Sequence, residues 1–457
     1  MHDDEPITTG PAAAPPTRAR SGAADLATDL PATRPAAAAA ATPPVPEAAE
    51  DRPQAPWVGR LVIAALLLAA LSLRPAVTSL GAVLKQVRSG LGMSGTMAGL
   101  LTSVPAVCFA LFGFAAPRLA RRFGPGAVVC AGMAAITAGL ALRPLAGTTP
   151  VFLAASALGL AGIAVSNVLV PVIVKRYFPH RVGTVTGLYS MALSVGTSAA
   201  AAVTVPLAHA MGGGWRLGLG MWAVPAAVAV LPWIPLIRDR AAAPARPRAS
   251  AGDAPSPAAP AQGEHGRITR SRTAWGLGCF FGLQSTAAYV TMGWSPQIYQ
   301  DAGISAGRAG LLLAFIMALS VPLSFVLPPL AARMRSQGPV VAVLAVFQVA
   351  GFLGLWAAPA AEPWLWAFLL GVANCAFPLA LTMIGMRSRT GAGVARLSAF
   401  AQSTGYLIAI PGPILVGTLN QATGGWGLPM GLMAVLAVPQ VAAGMVAGRN
   451  RHVEDEL

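Results

Sequence analysis

The chain has 457 residues, 55% of them hydrophobic and only 10% charged, with a mean hydropathy of +0.64. Soluble domains carry about 25% charged residues, so this composition excludes a water-soluble enzyme or binding module and indicates a polytopic membrane protein. The net charge of +15 would suggest nucleic acid in a soluble chain, but here Lys and Arg concentrate in short loops between apolar runs, so no nucleic-acid partner is expected.

Residues 1–57 are rich in Ala, Pro and Thr, hold eight acids against four arginines and lack an apolar core. They read as a disordered cytoplasmic tail rather than a signal peptide. The first apolar run, between Arg60 and Lys85, is interrupted by one charge in Ser72-Leu-Arg74-Pro75. Arg74 lies about 21 Å beyond Arg60 at a rise of about 1.5 Å per residue, past the middle of a roughly 30 Å hydrocarbon core. Further spans are expected at 96–117, 126–145, 149–173, 182–208 and 215–237. After the Ala/Pro/Gly/Arg/Ser linker 238–272 come 273–296, 306–331, 338–358, 364–386, 395–420 and 426–448, then a short tail, 449–457. The expected fold is therefore an all-α membrane protein of twelve transmembrane helices in two six-helix halves, 58–237 and 273–448. Weak internal symmetry supports two repeats: Gly159, Asn167 and Pro171 in span 4 match Gly371, Asn374 and Pro378 in span 10, and Gly-Gly-Trp closes both span 5 and span 11.

Eighteen Lys and Arg fall in loops on one side and five on the other. The excess assigns both termini to the cytoplasm of a multi-pass plasma-membrane protein. Four cysteines lie in different spans without paired spacing and read as packing residues. No G-x-x-x-x-G-K-[ST] or H-E-x-x-H occurs and the five histidines are scattered. No enzyme, cofactor, metal site or ATP-driven motor is expected.

Solute in a repeat-built transporter sits near the midplane between the halves. The polar side chains at mid-span are Arg74 and Thr78, Asn167, Tyr189, Gln284, Ser285, Tyr289, Asn374, Gln402 and Tyr406. Some have structural roles open to them as well. The span 5 stripe (Thr186, Tyr189, Ser190, Ser194, Thr197) could be packing, and Asn167 and Asn374 could satisfy carbonyls freed by the prolines one turn on. Arg143 is read as reaching the headgroups. Arg74 has two readings: bonding the backbone freed by Pro75, or recognising an anionic solute. No Asp or Glu occurs in any span, so the second makes cargo the missing counter-charge, with Tyr289 or Tyr406 offering a π-face in its absence.

These residues resemble the major facilitator superfamily, within it the cyanate permease and 2-nitroimidazole transporter branch, over essentially all of 58–448. The carriers are Leu73-Arg74-Pro75-Ala-Val-Thr78-Ser79-Leu-Gly81; Gly162-Ile-Ala-Val-Ser-Asn167 through Pro171 to Pro179; Thr186-Gly-Leu-Tyr189-Ser190; Phe281-Gly-Leu-Gln284-Ser285 with Tyr289 and Trp294-Ser-Pro296; and Ala399-Phe-Ala-Gln402-Ser-Thr-Gly-Tyr406. Ser72 stands where the branch often has Asn. Arg121 stands where the superfamily's loop between spans 2 and 3 has Asp, so the gating ion pair credited to that Asp is not carried over. The resemblance implies a secondary or facilitated transporter of a small polar or anionic solute, cyanate- or nitroimidazole-like, working as a monomer. Rival expectations are drug or metabolite efflux on the same fold, and a membrane sensor that no longer transports.

Overall fold

The computed structural model describes residues 56–179, 181–212, 214–238 and 268–456. The expected N-terminal tail as far as residue 55, and linker residues 239–267, lie outside them. Among the described residues the chain forms α1 (Pro56–Leu73), α2 (Pro75–Leu91), α3 (Gly95–Phe123), α4 (Pro125–Leu142), α5 (Thr149–Tyr177), α6 (Val182–Ala210), α7 (Trp215–Gly220) and α8 (Ala223–Val230). The rest comprises α9 (Arg272–Asp301), α10 (Ala306–Arg333), α11 (Gly338–Ala357), α12 (Pro363–Ala373), α13 (Ala376–Met386), α14 (Gly391–Ala409), α15 (Pro411–Thr423), α16 (Gly427–Val435) and α17 (Ala437–Ala447). Eleven spans are long and apolar enough to cross a membrane. The twelfth expected span is α9, which is long but more polar. It is buried along nearly its whole length, from Thr273 to Tyr299, so protein rather than lipid surrounds its polar side chains.

Seventeen helices make twelve spans because five spans are broken, and prolines explain three of the breaks. A proline lacks its N–H and its ring collides with the carbonyl four residues back. Span 1 breaks at Arg74 before Pro75, span 10 at Asn374 and Cys375 ahead of Pro378, and span 11 at Ile410 before Pro411. The freed Leu71 carbonyl is approached closely by α6 at Gly196, where any Cβ would overlap it.

Arg143 departs from expectation. It is 1% exposed, not at the headgroups. Its Nε donates to Ser156 Oγ at 2.9 Å and its Nη1 to the Ala76 carbonyl at 2.6 Å, with the guanidinium 5.9 Å from the Phe152 ring centroid. A helix-end arginine thus turns inward when a neighbouring helix offers acceptors. Arg74 is therefore not alone as a charge set among the spans.

One end of the bundle is sealed by backbone-to-backbone contact between the halves. A Cβ on Gly81 of α2 would overlap the Met292 carbonyl of α9, and the Gly95 and Gly417 backbones of α3 and α15 meet in the same way. Gly99 against Pro413 and Gly310 against Ala201 continue the seam. Two polar bonds cross it, Lys85 Nζ to Asp301 Oδ1 at 2.8 Å and Gln86 Nε2 to Gln300 Oε1 at 3.1 Å, and Trp426 Nε1 of the second half holds Asp301 Oδ2 at 3.0 Å.

At the other end the C-terminal tail is folded against the second half. Glu456 accepts from Ser271 Oγ at 2.6 Å, Thr273 N at 3.0 Å and Thr273 Oγ1 at 2.8 Å, closing the first turn of α9. Burial opposes ionisation of this carboxylate, but the Ser271 and Thr273 bonds outweigh it and hold its pKa below the ordinary value of 4.5. A depressed acid stabilises above that ordinary value, and the contribution is lost as pH falls through the folded one. Glu456→Ala is expected to speed hydrogen exchange at the Val453 amide, which bonds the Arg387 carbonyl at 2.9 Å, by up to about fivefold, as for loss of a helix cap. Unchanged exchange would show that the tail docks without this carboxylate.

Candidate functional site

Between the halves, on the termini side of the glycine seam, lies a cavity of about 300 Å³. Its lining includes Arg74, Ser190, Ser194 and Thr197 from the first half, and Gln284, Ser285, Tyr289, Met317, Ser320, Ser324, Asn374, Phe377 and Tyr406 from the second. Arg74 sits there because Pro75 ends α1 one residue later. The break leaves Arg74 between two half-helices, with its side chain toward the space between the halves.

Arg74 makes no hydrogen bond or ion pair among the described residues. Its own carbonyl is satisfied by the amides of Val77 and Thr78 at 3.0 and 3.1 Å and by Thr78 Oγ1 at 3.1 Å. The first turn of α2 is thus closed without the guanidinium. The expected cation–π partnership is not formed: within the described residues the guanidinium–ring contacts belong to Arg88, Arg122, Arg143, Arg176 and Arg216. Tyr406 is instead fixed by other rings. It stacks on Phe109 at 5.0 Å and meets Phe281 edge-on at 5.1 Å.

Six of the ten residues expected at the site line this cavity: Arg74, Gln284, Ser285, Tyr289, Asn374 and Tyr406. Four are placed elsewhere. Thr78 is fully buried and bonded to its own helix. Asn167 accepts from the Tyr189 hydroxyl at 3.0 Å, joining α5 to α6, and Gln402 Nε2 donates to Ser398 Oγ one turn back at 2.6 Å. Neither the Asn167 nor the Asn374 side chain bonds a carbonyl freed by proline: the Asn374 carbonyl takes the Phe377 amide at 3.3 Å, while the Asn374 side chain reaches Met317 Sδ at 4.0 Å. The span 5 stripe serves both purposes, since Ser194 and Thr197 donate to their own helix and still face the cavity.

Sequence reasoning missed Met317, Ser320, Ser324 and Phe377. The spacing of Ser320 and Ser324, four residues apart in span 8, was the available signal. The result is one cation, neutral hydrogen-bonding groups and aromatic walls, with no acid among the lining residues. Such a set has the chemistry to hold an anion. Among the described residues there is also no cluster of His, Cys, Asp or Glu fit to hold a metal.

Comparison with known proteins agrees with this architecture. The Major Facilitator Superfamily model matches residues 62–385. The 2-nitroimidazole transporter of Escherichia coli (strain K12) is 33% identical over 394 residues, covering 86% of this chain and 96% of that protein. The cyanate transport protein CynX of the same strain is 31% identical over 374 residues, covering 82% and 93%. Among solved structures, a variant of the nucleoside transporter NupG superposes with a TM-score of 0.66 at 14% identity over 85% of this chain and 99% of that one, a likeness of fold. Two six-span halves closing on a cavity between them, and matches that run through both, have one explanation: the chain belongs to the major facilitator superfamily of membrane transporters.

Proposed function

We propose that the chain carries a small planar organic anion across the plasma membrane by alternating access, with Arg74 as the anion-binding group. The observation that supports this most is the guanidinium in the inter-half cavity, without a carboxylate to answer it. Arg74 is half-buried and makes no hydrogen bond among the described residues, so its donors are free for the anionic group of a solute. The cavity volume is at the lower end for organic-ligand pockets, about 300–1,000 Å³. A triatomic ion such as cyanate leaves most of it to water, whereas a single ring with an anionic group fills it. Gln284, Ser285 and Asn374 then supply hydrogen bonds, and Tyr289 and Tyr406 flank the ring.

Both termini are taken as cytoplasmic from the loop charges, so the glycine seam closes the outer end and the cavity faces inward. Proton-coupled transporters commonly relay through Asp, Glu or His inside the membrane. The spans here hold no acid and one peripheral histidine, His209. The anion is therefore carried with its charge uncompensated, and flux responds to membrane potential. In proteoliposomes of the full chain, an inside-positive potential set with potassium and valinomycin should raise benzoate uptake several-fold over zero potential. Uptake that follows a pH gradient and ignores potential overturns the uncompensated-charge reading. Absence of any protein-dependent flux, across a range of small anions, overturns transport of this class.

A further inference from the structure

Behind the cavity wall formed by Gln284, Ala288 and Asn374 lies a second chamber of about 10 Å³, the space of one water-sized group. Its far side is Gln348 of α11, with Thr291, Phe352 and Ala373 around it. Gln348 is the only Gln, Asn, Ser, Thr or charged residue in span 9, and its neighbours in sequence are Phe347 and Val349. It is 2% exposed, and its Nε2 has no hydrogen-bond partner. An amide buried on an otherwise apolar helix is unfavourable unless something accepts its hydrogens. The chamber lies where Pro378 breaks span 10, so Asn374 is on the junction of α12 and α13 and helps line both spaces.

We propose that this chamber is a hydrogen-bonding subsite of the solute-binding site, taking a small acceptor group on the solute: a nitrile nitrogen or a carbonyl or nitro oxygen. The acceptor passes the Gln284 and Asn374 amides and takes the free N–H of Gln348. The solute is then held at two points, its anionic group by Arg74 of the first half and its acceptor by Gln348 of the second. Two-point binding ties substrate to both halves, and it selects substituted ring anions over bare ones. A polar group built to meet an acceptor discriminates against an analogue lacking it, because the buried donor is then left unpaired. The anionic end of this assignment rests on the reading of Arg74 given above.

The test is calorimetric titration of the purified full chain with benzoate, 4-cyanobenzoate, benzamide and 4-cyanobenzamide. The slender nitrile suits a chamber one atom wide. Wild type should bind 4-cyanobenzoate about tenfold tighter than benzoate, equivalent to about 1.4 kcal/mol. In Gln348→Leu that ratio should fall to about one while benzoate affinity is unchanged. Ala373→Val, which fills the chamber and leaves Gln348 in place, should do the same and decides the matter if Gln348→Leu does not fold. A ratio near one in wild type, or a ratio that survives in the folded variants, overturns the subsite. If the neutral pair shows the Gln348-dependent ratio and the carboxylates bind no better than the amides, the subsite stands and the anion reading falls. Absence of binding by all four overturns both.

Discussion

Arg74→Gln is expected to cost about 100-fold in affinity for a ring carboxylate while leaving the fold as stable as wild type, or slightly more so. The two halves of that result separate the two roles open to this residue. A guanidinium meets a carboxylate with two parallel bonds, and bonds to charged groups contribute about 1.5–3 kcal/mol each. Loss of about 3 kcal/mol is about two decades in dissociation constant. A structural Arg74 would predict unfolding instead, since its donors would be holding the backbone freed by Pro75. The carbonyl freed by Pro75 is that of Leu71, which lies against Gly196 of α6, and Arg74 lends it no hydrogen bond, while the Arg74 carbonyl takes the Val77 and Thr78 amides and the Thr78 hydroxyl. Removing a half-buried guanidinium that bonds no protein group costs the fold little. Arg74→Lys should lie between, with about a tenfold loss, because an ammonium keeps charge but not the planar fork. Calorimetry with benzoate, paired with thermal unfolding without ligand, reads both quantities. Equal binding by wild type and Arg74→Gln, or failure of the variant to fold, sinks the anion site.

The spans could be read from the sequence because lipid demands long apolar runs, and a run of that length leaves little freedom of assignment. Even α9, the least apolar, stood out by its boundaries. What could not be read is which face of each helix turns inward. Gln402 and Tyr406 are four residues apart and so lie on one side of α14, yet Tyr406 lines the cavity and Gln402 bonds back to Ser398. Thr78 shares a face with Arg74 but lies beyond the break, packed where α2 meets its neighbours. Arg143 was misjudged because its acceptors, Ser156 and the Ala76 carbonyl, are 13 and 67 residues away. Gln348 is visible in the sequence as a lone amide in an apolar helix, but its position behind the cavity wall depends on how α11 packs on α12.

Gly81→Val should abolish transport while leaving the cavity intact, by preventing the seam end, the outer one in the proposed orientation, from closing. At this position the α2 backbone lies directly on the Met292 carbonyl of α9, so a Cβ has no room. The neighbours cannot yield locally: Trp294 on α9 is fully buried, and Leu80, Ala82 and Val83 flank Gly81 in the core. Inserting a side chain into an adaptable core costs about 1–3 kcal/mol. Against backbone, the available relief is to separate the halves at this end. A penalty of about 3 kcal/mol placed on the closed state alone shifts the two-state balance about 100-fold toward the form open at that end. The Lys85–Asp301 pair should matter far less. Its side chains are 45% and 32% exposed, and pairs in that setting contribute about 0–1 kcal/mol. Asp301→Asn is therefore expected to keep most of the flux. Gly187→Val is the matched control, since a Cβ there meets nothing within 4 Å and the β-branched residue enters a helix in both cases. Opening is read by a cysteine in place of Thr102, which packs on Gly293 in the seam, using an impermeant maleimide on right-side-out vesicles. Labelling should rise more than about tenfold with Gly81→Val and stay low with Gly187→Val. Normal flux in Gly81→Val, or labelling no faster than in the parent, means that backbone contact at Gly81 does not hold the closed state and that the ionic pair is the stronger candidate for the latch.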